Sequence, residues 1–341
     1  MRNRKRSYNF ISVILVFLMV SIWFYFDQEQ QTKSIQIGVS LYLENDTFVE
    51  KILSAMEQEA LNYEEETGVN VILNVSVANG SQRTQNEQVK RYVEMGYDAI
   101  CVNLVDRTNA AAIVDLGVFE GEDVPIVFFN REPVAEDIMR RDMVYYVGSD
   151  AKQSAVLQGQ AVVECYQNYP KLMDKNGDGV LQYVMLEGEM GHQDAIMRSD
   201  YSLQTIVNMG VPLHKLASET ADWNRKRASD LMEQWIESYG DDIELVLCNN
   251  DDMALGALDI LSKTSIKAAV FGIDATDVGI QALDEGALWA TVDCNSKEQG
   301  QAVLRIAADL AMKGSLSDKL ELTQQRYVRV PLIKKISTSL G

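Results

Sequence analysis

Histidine is nearly absent from this chain of 341 residues: only His192 and His214 occur. Nor does it contain a G-x-S-x-G elbow or a G-x-G-x-x-G turn, so the common hydrolase and dinucleotide-binding signatures are missing. Basic residues are also in deficit. Lys and Arg number 31 against 50 Asp and Glu, a formal charge of −19, which excludes a surface built to neutralise nucleic-acid phosphates. Cysteine is limited to four residues. Cys101 and Cys248 sit inside apolar, strand-like runs, Cys165 falls on a helical stretch and Cys294 follows another strand. Buried free thiols are the expected state.

The N-terminus does carry a long hydrophobic run. Arg2, Arg4, Lys5 and Arg6 precede apolar residues from Phe10 to Phe26, and the polar stretch Asp27-Gln28-Glu29-Gln30-Gln31 follows. This order of flanks places residues 1–9 in the cytoplasm, a single span at 10–26, a linker at 27–34 and the rest outside. The run just reaches the ~17-residue lower limit for spanning a bilayer. A cleaved signal peptide is the competing reading, but the run ends in Trp23-Phe24-Tyr25-Phe26 without a small-x-small site. No cysteine near it could take a lipid. Expected localisation is therefore a single-pass tether with the bulk of the chain extracytoplasmic.

Asp174-Lys175-Asn176-Gly177-Asp178-Gly179-Val180-Leu181-Gln182 puts side-chain oxygens at alternate positions, with glycines where the backbone turns. It matches the first part of a calcium loop: Asp174, Asn176 and Asp178 as ligands, the Val180 carbonyl, then Gln182. Position 12, normally a bidentate Glu, is Met185, inside a β-like run. A distant segment would have to supply the missing carboxylate. A polar turn holding no ion is the alternative.

Beyond the linker, strands and helices alternate in two series. The first contains strands Ile35–Leu41, Val69–Val77, Ala99–Val105 and Val124–Phe129, with helices over Phe48–Glu66, Gln82–Met95 and Thr108–Glu120. The second contains strands Leu181–Leu186, Glu244–Cys248 and Ala268–Ile273, with helices over Ser154–Tyr169, Ala195–Met209, Asn224–Tyr239 and Ala254–Ser262. Such alternation predicts an α/β chain with two doubly wound parallel-sheet lobes joined by a hinge. Ligands of such sheets bind beyond the carboxyl ends of strands. There the sequence supplies Asp46 and Phe48, Asn103, Asn130, Asn249-Asn250-Asp251 and Asp274, and after Leu186 the run Gly188-Glu189-Met190-Gly191-His192-Gln193-Asp194 with Arg198 a turn later. Helix capping accounts for part of this set. It does not require His192, Trp223 or Phe48. Carboxylates, amides, an Arg fork and aromatic faces together suit a neutral polyhydroxylated ring.

These residues and others resemble the periplasmic galactose/glucose-binding proteins of the type I periplasmic-binding family. Matching segments include Ile37-Gly38-Val39-Ser40, Val127-Phe128-Phe129-Asn130-Arg131-Glu132-Pro133, Tyr145-Tyr146-Val147-Gly148-Ser149-Asp150, the oxygen-rich loop, the Gly188–Ala195 run, Asn249-Asn250-Asp251-Asp252-Met253-Ala254 and Phe271-Gly272-Ile273-Asp274-Ala275. The resemblance implies that Asp46, Asn130, His192, Asp194, Arg198, Asn250 and Asp274 hydrogen-bond a hexose and that Phe48 and Trp223 sandwich it. It implies Glu244 as the missing ligand of a structural calcium ion. At Cys294 the family has an amide, so a pentose or deoxy sugar competes with glucose or galactose as ligand. Expected lobes are 35–148 plus 296–327, and 149–295 plus 328–341, with crossings near Ser149, Asn295 and Val328. The implied role is a non-enzymatic, monomeric sugar receptor, and an enzyme such as a glycosidase using Asp46 and Asp274 is the weaker reading. Its partner would be an ABC permease or a membrane histidine-kinase sensor. The lactose-repressor relatives share the fold but need a basic DNA-binding headpiece, where this chain has an apolar run.

Overall fold

The computed structural model describes residues 33–316, 322–323 and 326–340. The expected membrane segment lies outside them. Among the described residues no helix is long and apolar enough to cross a membrane.

In chain order the strands are β1 (Ser34–Leu41), β2 (Asn70–Val77), β3 (Ala99–Val102), β4 (Val118–Phe119), β5 (Glu122–Asp123), β6 (Ile126–Phe129) and β7 (Val144–Gly148), then β8 (Leu181–Glu187), β9 (Leu213–Thr220), β10 (Leu245–Cys248), β11 (Ala269–Phe271), β12 (Ala290–Asp293), β13 (Tyr327–Arg329) and β14 (Ile333–Ile336). Two six-stranded sheets result, ordered β13-β7-β6-β3-β1-β2 and β14-β12-β11-β10-β8-β9. Every pairing within them is parallel except β12 with β14. The central strands β3, β6 and β10 are buried along their whole length, as sheets covered on both faces require.

Helices Thr47–Thr67 and Ser296–Lys313 cover one face of the first sheet, while Gln82–Glu94 and Ala110–Leu116 cover the other. In the second sheet, helices Arg225–Tyr239 and Asp251–Leu261 lie on one face, and Ala151–Asn168 and Gln193–Asn208 on the other. Two doubly wound lobes are the outcome. The chain crosses between them after β7, before the helix Ser296–Lys313, and between β13 and β14. β13 pairs with β7 through Tyr327, Val328 and Arg329, so the third crossing falls at 330–332, beyond the expected Val328.

Several elements depart from the sequence reading. The expected helix Thr108–Glu120 stops at Leu116, and the β4–β5 hairpin follows. The apolar residues of that stretch serve two short elements. β9 and the helix Ser296–Lys313 were not read from the sequence. β9 is an edge strand of half-exposed residues, LHKLASET, and so has no continuous apolar signal. All four cysteines are buried and free. Burial pushes the thiols of Cys101, Cys165, Cys248 and Cys294 up, away from the reactive thiolate.

Candidate binding site between the lobes

The carboxyl ends of the two sheets face each other across the interlobe cleft. Asp46, the N-cap of helix Thr47–Thr67, accepts from the Phe48 and Val49 amides at 3.1 and 3.0 Å and from the Tyr42 hydroxyl at 2.6 Å. Asn130 directly follows β6, its side-chain oxygen accepting from Asn103 at 3.1 Å. Opposite, Asn250 caps helix Asp251–Leu261 through its Oδ1, at 3.0 Å from the Met253 amide. His192 caps helix Gln193–Asn208, its Nδ1 accepting from the Asp194 amide at 3.1 Å. Capping and site formation therefore use the same side chains: Asn250 and His192 each spend one acceptor on the cap and leave the rest of the group for a ligand, while Asp46 engages Oδ1 with the cap amides and Oδ2 with the Tyr42 hydroxyl.

Arg198 is the electrostatic centre. Its Nη1 donates to the Asn249 carbonyl at 2.7 Å and to Asp274 at 3.3 Å, and Asp194 lies 3.9 Å from Nη2. Its Nε has no protein partner among the described residues. Burial works against its charge, but Asp274 and Asp194 outweigh it and hold Arg198 protonated. Burial pushes Asp274 well above the usual carboxylate range and raises Asp194, with Arg198 opposing both. Burial together with Arg131, Arg198 and Arg107 drives His192 far below the usual imidazole value. His192 is therefore neutral at pH 7. With Nδ1 accepting, the proton is assigned to Nε2.

Trp223 stands edge-on to His192, centroids 5.4 Å apart, and 5.8 Å from the Arg198 guanidinium. Gly188 makes room for it: a Cβ there would lie 2.1 Å from the indole. Asn130, Trp223 and Asp274 all have positive φ (61°, 60° and 114°). Non-glycine residues in this region cost on the order of 1–3 kcal/mol each, a cost that concentrates at ligand sites.

Nine of the ten expected ligand residues line one cavity: Asp46, Phe48, Asn130, His192, Asp194, Arg198, Trp223, Asn250 and Asp274. Cys294 is not in its lining. Fully buried, it packs behind Arg198, its Sγ 3.8 Å from Nη2, because a thiol behaves as a small apolar group. Tyr42 and Arg131 complete the lining and were missed by sequence reasoning. Arg131 stacks over the Tyr42 ring at 3.6 Å. Both sit at the carboxyl ends of strands, the signal that could have found them. The cavity encloses about 40 Å³, room for roughly one water. A larger ligand enters only when the lobes part. Thr47–Asp252 (2.7 Å), Lys51–Asp277 (2.8 Å) and Arg131–Glu189 (2.6 Å) join the lobes around it. A larger hollow of about 580 Å³ includes Ala268 and Trp289, which precede β11 and β12, at the wrong end of the sheet for this chemistry.

The oxygen-rich loop lies elsewhere in the second lobe. Gly177 and Gly179 have φ of 73° and 81°, and Asp174 accepts from both of their amides, at 2.7 and 2.9 Å. Glu244, 1% exposed, accepts from the amides of Lys175, Asn176 and Gln182 at 2.6, 3.3 and 3.2 Å. The loop is thus clipped to the start of β10. Asp178 accepts from the side-chain amides of Asn176 and Gln182 at 3.1 and 2.9 Å. Lys175 turns its ammonium away, to the carbonyls of Asp241 and Ile243. Among the described residues no cluster of three or more His, Cys, Asp or Glu forms a ready metal centre. An all-oxygen set of carboxylates, amides and a carbonyl with no cation pointed into it fits a hard divalent ion.

The sequence matches a family model described as a periplasmic binding protein domain over residues 37–315. The chain belongs to the periplasmic binding protein family. Within this family it is 34% identical, over 90% of its length and 91% of the relative's, to the D-galactose/methyl-galactoside binding periplasmic protein of Haemophilus influenzae. It is 24% identical, over 86% of its length and 88% of the relative's, to the ribose import binding protein of Bacillus subtilis. An ABC transporter solute binding protein from Bacillus halodurans, solved with myo-inositol, superposes with a TM-score of 0.73 at 30% identity, covering 90% and 96% of the two chains. These relatives are binding proteins, and the chain is a binding protein rather than an enzyme. The family is extracytoplasmic, as its name states.

Proposed function

We propose that the protein is a membrane-tethered, monomeric receptor that closes two lobes around a glucose- or galactose-like hexopyranose and hands it to an ABC permease. The observation that carries this is the interlobe cavity, where Asp46, Asn130, Asp194, Arg198, Asn250 and Asp274 converge with Phe48 and Trp223. Polar groups that keep unspent donors and acceptors suit hydroxyls, and aromatic faces suit the C–H faces of a pyranose. The Haemophilus influenzae relative is a D-galactose/methyl-galactoside binding protein, and a polyhydroxylated ring is bound in the Bacillus halodurans structure.

Permease delivery follows the description of the Bacillus halodurans protein as an ABC transporter component. A second output, presenting sugar occupancy to a membrane histidine kinase, is favoured by the tether. About eight residues of linker reach at most a few tens of Å, which suits a fixed partner. A structural calcium ion in the loop Asp174–Gln182, with Glu244 as the distant carboxylate, completes the proposal. What supports it is the all-oxygen donor set and the buried Glu244 clip.

Tryptophan fluorescence of the full chain in detergent tests the sugar reading. Glucose or galactose should change the emission saturably, and Trp223→Phe should remove most of the change. Emission unaltered by any hexose or pentose would overturn it.

A further inference from the structure

Free volume in the cleft is not where the hexose reading alone would put it. The aromatic cavity holds about 40 Å³, while a vestibule of about 390 Å³ adjoins it. The two share Arg131, His192 and Asp194 as a common wall. Arg131 is held in that wall by the Val105 carbonyl at 3.1 Å in one lobe and by Glu189 at 2.6 Å in the other. The vestibule therefore bridges both lobes, as the sugar cavity does.

Its polar side chains are not all spent internally. Arg107 donates its Nε to the Glu132 carbonyl at 2.9 Å, and its two Nη groups make no hydrogen bond among the described residues. The Gln193 amide likewise has none, although it opens the helix that carries Asp194 and Arg198. Asp106, by contrast, is saturated by Thr108 and Asn109. A fork of donors and an amide, facing a space several waters wide next to the sugar pocket, are equipped for neutral hydroxyls rather than for an apolar or anionic group. Glu132 and Glu189 are paired with Arg329 and Arg131 at 2.7 and 2.6 Å, and Asp106 and Asp194 in the same lining set two carboxyls against Arg107, which does not favour an anion.

We propose that the ligand is a hexopyranoside carrying a second sugar residue, which passes the Arg131–His192–Asp194 wall and is held in the vestibule by Arg107 and Gln193. This rests on the hexose reading above and extends it from a monosaccharide to a glycoside of disaccharide size. Ring one occupies the aromatic cavity, and ring two fills the vestibule. Closure on such a ligand engages both lobes at two places.

Calorimetry of the full chain in detergent, with glucose and galactose against cellobiose, lactose, maltose, melibiose and gentiobiose, tests this. At least one disaccharide should bind as tightly as the free hexose or more tightly. Arg107→Ala and Gln193→Ala should each weaken that disaccharide about tenfold while changing hexose affinity less than about twofold, the effect of losing a hydrogen bond that only the second ring makes. Arg107→Lys, which keeps a charge without the fork, should fall between, and unchanged melting temperatures would show that the variants fold. Hexose binding with no disaccharide binding, or variants that weaken both ligands equally or neither, would overturn the inference and leave the hexose site standing. Binding of neither class would overturn the hexose reading and this inference with it.

Discussion

Glu244 offers a direct test of how the second lobe is held together. Its carboxylate is buried and accepts three loop amides, the shortest at 2.6 Å. Glu244→Gln keeps one acceptor oxygen and turns an NH₂ toward an N–H. Hydrogen bonds to a charged acceptor contribute about 1.5–3 kcal/mol, so losing one and leaving a donor unpaired should cost about 2–3 kcal/mol without any metal. If the loop also takes calcium, the ion adds RT ln(1 + [Ca]/Kd), about 2.7 kcal/mol at a hundredfold excess over Kd. For a unit of 150–250 residues, 1 kcal/mol moves Tm by about 2–4 °C, so chelator should lower the wild-type melt by about 5–10 °C. The variant should melt lower still and respond little to chelator. Differential scanning calorimetry in calcium and in excess chelator separates the two contributions. Identical wild-type melts would refute the calcium site, and a variant as stable as wild type in chelator would refute the clip.

Trp223→Ala should weaken sugar binding at least tenfold, and Gly188→Ala should mimic it by displacing the indole. Trp235→Ala, in the core, should instead cost about 3–5 kcal/mol of stability and leave the folded fraction's affinity nearly unchanged; equal binding losses at 223 and 235 would contradict this split. Buried Asp251 is pushed up to about 7 by burial, despite hydrogen bonds from Thr291 and Thr276. Its folded form keeps a proton that the unfolded chain releases near pH 4, so wild type should lose stability relative to Asp251→Asn as pH rises from about 4 to about 7. Denaturant melts across that range should show the gap narrowing or reversing, and a constant gap would contradict it. Cys294 packs behind Arg198 and outside the cavity lining, so Cys294→Asn should change glucose affinity less than about threefold; a gain of about tenfold in calorimetry would contradict that placement.

Much of the fold was legible because parallel strands buried on both faces read as unbroken apolar runs, as in Ala99–Val102, Ile126–Phe129 and Leu245–Cys248. Edge strands carry no such run. β9 and β14 are half-exposed, and their pairing is decided by neighbours distant in sequence. The helix Ser296–Lys313 is rich in small residues that fit closely against Thr47–Thr67, which thins its hydrophobic stripe. In the site, residues at strand ends and helix starts were visible from position alone. Arg131 also follows a strand end, but its place in the lining is fixed by the Tyr42 face, the Val105 carbonyl and Glu189 from the other lobe, which strand-end position alone does not reveal. Cys294 follows β12 as expected, but the side chain of Arg198 stands between it and the cavity. No sequence pattern encodes that.

The central claim is that the interlobe cavity binds a pyranose, and isothermal titration of the full chain in detergent addresses it most directly. Glucose, galactose, xylose, arabinose and ribose would be titrated into wild type and Trp223→Ala. Saturable heat at one sugar per chain for at least one hexose, lost or weakened at least tenfold in Trp223→Ala, is the predicted result. No heat from any of the five sugars, or a binding isotherm that Trp223→Ala leaves unchanged, would contradict it.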